Sequence, residues 1–198
     1  MTTNTLEHHH HHDADSTDVF GFWMYIMTDC VLFGTLFATY IVMKGNLFGG
    51  PSLKHLIELP YVLGETMFLL VSNLTYGLAM LALYRRKKGP MLFWLILTVI
   101  TGLGFVSMEV REFINLYLTG HGPQTSGAMS AFFTLVGTHG LHVSVGLFWM
   151  LILMIQVCAG FNVDNNMQRR FTYLGLFWNF LDIVWIFVFT VVYLMGVL

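Results

Sequence analysis

The chain has 198 residues, 56% of them hydrophobic and 10% charged, with a formal net charge of −2 and a mean hydropathy of +0.69. That balance excludes a soluble globular domain and marks an integral membrane protein, and the weak negative charge argues against a nucleic-acid partner. Cys30 and Cys158 are the only cysteines, and no CxxC or Cys/His pattern accompanies them, so neither a disulfide framework nor a zinc module is indicated.

Residues 1–18 form a polar tail that ends in HDADSTD. It has no basic region followed by a short apolar core, so it is not expected to be a cleavable signal peptide. The five histidines 8–12 are a natural His-rich tail or an expression tag; such a run binds metals unselectively and is set aside from the fold. Residues 19–198 form one transmembrane domain. Five apolar spans are predicted at roughly 20–43, 60–84, 90–117, 128–158 and 171–196, each near or above the ~20 residues a crossing helix needs. The predicted class is therefore all-α, a polytopic bundle of five transmembrane helices. Turn residues fall at Gly49-Gly50-Pro51, at Gly89-Pro90 and between Gly120 and Pro123. Short connections make successive helices antiparallel neighbours, and no internal repeat is visible.

Positive residues set the expected orientation. Arg85, Arg86, Lys87 and Lys88 occupy one loop and Arg169 and Arg170 another, with two spans between them. The opposite side holds Lys44 and Lys54, with Arg111 near its border. The excess of positive charge places the N-terminus in the cytoplasm and the C-terminus in the periplasm.

Polar residues inside the spans are the candidate functional positions. Asp29 is the only charged residue within the first span, His139 and His142 interrupt the fourth in THGLH, and Asp182 sits in LFWNFLDIVW of the fifth. A charged side chain at membrane depth costs about 2.5–3.5 kcal/mol on insertion scales, so it is hidden in protein or paired. At about 1.5 Å per residue these four fall near one mid-membrane layer. Glu65 lies about one turn below the outer surface, and Glu109 and Glu112 near the outer end of the third helix. Asn179, Asp182 and Trp185 recur at i, i+3 and i+6 and share one helix face, bordered by Trp178.

Glu109 and Glu112 make an ExxE pair, and His139 and His142 an HxxH pair, on neighbouring helices. Carboxylates and histidines on facing helices are how bundle di-iron centres are built. Counted from the helix ends, however, the pairs stand ~10 Å or more apart along the membrane normal, so no metal ligand set is expected. Haem is not expected either, because only one span carries histidines that could serve as axial ligands. No catalytic or cofactor-binding residue is predicted. The structural reading hydrogen-bonds His139 and His142 across to neighbouring helices, with Gly137, Gly140 and Ser144 allowing close approach. Asn179, Asp182 and Trp185 read as a polar seam gluing helices together, or as a proton-relay or lipid-headgroup position. Asp29 keeps both a structural and a proton- or lipid-linked reading.

The strings MTDCVLFGTLFATY, ELPYVLGETMFLL, SAFFTLVGTHGLHVSVG and LFWNFLDIVWIFVFTVVYLMG resemble subunit III of the haem-copper terminal oxidases. The resemblance runs from about residue 20 to the C-terminus, and THGLHV followed by WxFxDxVW is a specific combination. Five spans, the polar His-rich tail and the VVYLMG ending are most similar to the bo-type ubiquinol oxidases. The resemblance implies that Asp29 stands where the family has a buried, carbodiimide-reactive glutamate. It matches Glu112-Phe113 to an acidic–aromatic pair, and His139, Gly140 and His142 to an HGxH element. Asp182 and Trp185 match the last motif, whose usual histidine is Asn179 here, a side chain that cannot titrate. It further implies a non-redox accessory subunit III of a proton-pumping quinol oxidase in the bacterial inner membrane. In that arrangement subunit I carries haem and copper, and this chain binds no cofactor. Its expected partners are subunits I, II and IV and a phospholipid held in a cleft between the first two helices and the rest. Its expected contribution is to assembly and sustained turnover. The alternatives are subunit III of a cytochrome c or menaquinol oxidase and, from another class, a freestanding small transporter or proton channel. A transporter characteristically has broken helices at its site, and no span here has an interior proline.

Overall fold

The computed structural model describes residues 4–45, 59–120, 122–159 and 165–194. Its elements are α1 (Asn4–Met43), α2 (Leu59–Tyr84), α3 (Lys88–Leu118), α4 (Gly127–Cys158) and α5 (Asn165–Val188), the last continued by a π-helical segment, Phe189–Leu194. All five helices are long and apolar enough to cross a membrane. The chain is thus an all-α, multi-pass membrane protein. The turn expected at 49–51, Lys54, His121 and the end of the fifth expected span lie outside the described residues.

Two helix starts differ from the expected ones. α1 begins at Asn4 and runs through the polar tail into the first span, because no Gly or Pro between residues 4 and 18 stops it. α5 begins at Asn165, so Arg169 and Arg170 lie on its first turns and not in a loop. Arg169 donates from its guanidinium to the Tyr173 hydroxyl one turn on, at 3.4 Å.

The chain divides into two compact units, residues 1–35 and 36–198. In the first, the Tyr25 hydroxyl hydrogen-bonds the Asp29 carboxyl across one helical turn. In the second, α2 and α4 each pack against both α3 and α5, so these four helices close a ring.

Helix association in lipid lacks a hydrophobic drive and relies on shape and buried polar contacts. Between α2 and α3 the Ser72 hydroxyl donates to the Thr98 carbonyl at 3.5 Å, and the Thr75 and Thr98 hydroxyls meet at 2.9 Å. The connection is tight: Arg86 adopts a left-handed φ of 54° between the two helices. α5 supplies the centre through Phe171, Leu174, Trp178, Leu181, Trp185 and Val188, all buried. Their alternating spacing of three and four residues makes one helical stripe.

Small residues let that stripe approach. A Cβ on Gly146 would stand 3.1 Å from the Trp178 ring, and one on Gly175 2.9 Å from Tyr76. The Tyr76 ring cannot yield freely, since its hydroxyl donates to the Phe171 carbonyl at 2.6 Å. Gly175→Ala is therefore expected to destabilise by about 1–3 kcal/mol, the usual range for overpacking. Unfolding in mixed detergent micelles measures it, and Tyr76→Phe should restore part of the loss by freeing the ring.

Candidate functional site

The polar interior of the second unit gathers at three places. The first lies between α2, α3 and α4. Glu65 of α2 is fully buried, Glu109 of α3 is 3% exposed, and Glu112, one turn further along α3, is half-buried. The Tyr193 hydroxyl donates to Glu112 Oε2 at 3.1 Å from the π-helical segment. The Tyr61 hydroxyl donates to the Met108 carbonyl at 3.0 Å. Neither oxygen of Glu65, nor Oε1 of Glu109, has a hydrogen-bond partner among the described residues.

Glu109 lies against the backbone of α4. A Cβ on Gly140 would stand 2.5 Å from its Oε1, and Gly140 is flanked by His139 and His142. The separation of ~10 Å expected between the ExxE and HxxH pairs along the membrane normal therefore does not hold. α3 and α4 have 31 and 32 residues, well beyond the ~20 that cross the hydrocarbon. Their ends do not mark common levels, and depth counted from an end accumulates that error. The closeness does not assemble a metal centre: the described residues contain no group of three or more His, Cys, Asp or Glu that could hold one.

The second place is the His139 neighbourhood. His139 is fully buried and stacks on Trp185, with ring centroids 5.3 Å apart and planes at 29°. It also meets the Phe105 ring edge-on at 6.0 Å. Trp185 Nε1 donates to the Thr66 hydroxyl at 3.1 Å, tying α5 to α2. The hydrogen bond described for His142 is local: its Nδ1 lies 2.7 Å from the Thr138 carbonyl one turn back on its own helix, while its ring meets Phe177 of α5 at 6.5 Å.

The third place is the α2–α5 seam. Asp182 is buried and faces Asn73 of α2, though neither of its oxygens has a hydrogen-bond partner among the described residues. Asn179, expected on the same seam, is exposed, because the inward stripe of α5 runs through Trp178 and Trp185. A spacing of three turns Asn179 about 60° from Asp182, enough to carry it off the interface.

Asn73, Tyr61 and Tyr193 were not singled out from the sequence. Asn73 carries a readable signal, an amide in the middle of an apolar span. The two tyrosines carry none, since a tyrosine near a span end reads as an interfacial anchor. Asp29 is buried and belongs to the first unit. Elsewhere in the second unit, Leu36, Thr39 and Met43 of α1 and Gly127, Ser130 and Thr134 of α4 line a groove of about 230 Å³.

Residues 1–197 match the family model described as cytochrome c oxidase subunit III. Three relatives show the range of likeness. The cytochrome bo(3) ubiquinol oxidase subunit 3 of Pseudomonas aeruginosa is 56% identical over 97% of this chain and 91% of its own length. That of Buchnera aphidicola is 41% identical over 91% of this chain and 93% of its own. The cytochrome c oxidase subunit 3 of Bacillus sp. strain PS3 is 45% identical over 89% of this chain and 84% of its own. A match over nearly the whole length leaves no span unaccounted for, and the chain belongs to the cytochrome c oxidase subunit III family.

Proposed function

We propose that this chain is subunit III of a ubiquinol oxidase of the bacterial inner membrane, a non-catalytic part of a complex that passes electrons from ubiquinol to oxygen. The observation that carries the reading is the 56% identity to a ubiquinol oxidase subunit over 97% of the chain. The 45% identity to a cytochrome c oxidase subunit makes a cytochrome c donor the second reading. Subunits I, II and IV are the partners, with haem and copper held by subunit I. The basic residues Arg85, Arg86, Lys87, Lys88, Arg169 and Arg170 put the N-terminus in the cytoplasm and the C-terminus in the periplasm. A phospholipid chain lies in the groove between the end of α1 and the start of α4, where Thr39, Ser130 and Thr134 supply hydroxyls beside Leu36 and Met43.

Purification from native membranes by an affinity handle on this chain tests the reading. Larger subunits and haem are expected to elute with it, together with ubiquinol oxidase activity. Elution with cytochrome c oxidase activity would move the assignment to the second reading. A chain that elutes alone and haem-free from gently solubilised membranes would overturn both.

A further inference from the structure

We propose that Glu65, Glu109 and Glu112 form a hydrated, proton-holding site inside the α2–α5 ring, which the accessory role does not require. Three carboxyls converge there from two helices. Among the described residues, the groups that face one another there are Glu65 and Tyr61 on α2, Glu109, Arg111 and Glu112 on α3, and Tyr193 on the π-helical segment. Arg111 is the one permanently cationic side chain of that set, and it is exposed. No buried cation among them balances three carboxylates, so the site holds fewer charges than carboxyls, and protons make up the difference.

Water is the ligand that the open oxygens call for. Glu65 is fully enclosed with both oxygens lacking partners among the described residues, and Glu109 Oε1 is open in the same way. Buried polar atoms of this kind are satisfied by ordered water where there is room and more than one polar neighbour. Room is present beside Glu109: a crevice of about 180 Å³ on the outer side of α3 and α4 is lined by Glu109, Gly137, Gly140 and Ser144 together with the apolar Val110 and Leu141, and a water takes about 30 Å³. The missing side chain at Gly140 is what lets the Glu109 carboxyl lie at the crevice wall. Glu112 is six residues from the end of α3, about 9 Å along the axis. It is half-buried, so it can relay exchange with water beyond the helix end.

Infrared difference spectroscopy on the full chain, purified with its native partners, tests the site. The spectrum of the wild type minus that of Glu65→Gln, Glu109→Gln or Glu112→Gln is expected to show, for at least one of the three, the carbonyl stretch of a protonated carboxyl. That band should shift after transfer to D2O. Gly140→Ala pushes a Cβ onto the Glu109 carboxyl, and Tyr193→Phe removes the donor to Glu112. Each should move the band without deleting an acid, and both remain informative if a glutamine variant fails to fold. Absence of a carboxyl band from all three differences, in chains with wild-type helical content, would overturn the protonated site. A band that does not move after prolonged exposure to D2O would overturn its hydration.

Discussion

Trp185→Ala is expected to be the most damaging single substitution in the bundle, costing about 3–5 kcal/mol on the range for large aromatic truncations. Trp185 is 1% exposed. It stacks on His139, meets Phe105 edge-on at 4.7 Å, and ties α5 to α2 through Thr66. Truncation removes the packing partner of a fully buried imidazole as well as the tryptophan itself. Thr66→Val separates the contributions: the indole stays while the acceptor of its N–H is lost, and such bonds average about 0.6 kcal/mol in membrane proteins. Resistance to denaturing detergent should fall steeply for Trp185→Ala and slightly for Thr66→Val. Equal losses would mean that the hydrogen bond, not the ring, holds the site.

Removing the chain altogether is expected to leave the first turnover of an assembled oxidase intact and to shorten its working life over many turnovers. The proposed role gives this subunit no electron to carry, so what fails is assembly, bound lipid or endurance. Asp29 refines the prediction. Asp29→Asn keeps size and hydrogen bonding while removing the ionisable group, whereas Asp29→Leu also takes away the acceptor of the Tyr25 hydroxyl. The leucine variant should therefore reduce the yield of haem-loaded complex more than the asparagine one. Oxygen consumption followed from the first turnover to exhaustion, at matched haem content, reads both effects. If Asp29→Asn abolished the first turnover in a fully assembled complex, Asp29 would belong to the catalytic machinery and the supporting role would be wrong.

The spans were legible because continuous apolar runs leave little else to form. What was not legible is phase and level. Asn179 and Asp182 sit three residues apart, yet one is exposed and the other buried, because the boundary of an interface can fall between positions separated by 60°. Glu109 and Gly140 touch although counting along each helix kept their neighbourhoods apart; level depends on tilt and on how far each helix overshoots the bilayer. His139 was expected to bond across helices, and the contacts described for it across the bundle are aromatic. An apolar ring is a partner that a search for polar complements passes over.

The π-helical segment sets the phase of the last turn. Val192 and Tyr193 are both fully buried within it, and Tyr193 meets Glu112 from there. A π-helical turn carries one residue more than an α-helical turn, so the register of Tyr193 depends on that extra residue. Spacing here therefore carries information that residue identity does not. A one-residue deletion inside the segment would preserve composition and hydropathy almost unchanged and rotate the phenol off its acceptor. Length variation at this position is a topological change to the acidic interior, and substitution tables alone would score it as mild.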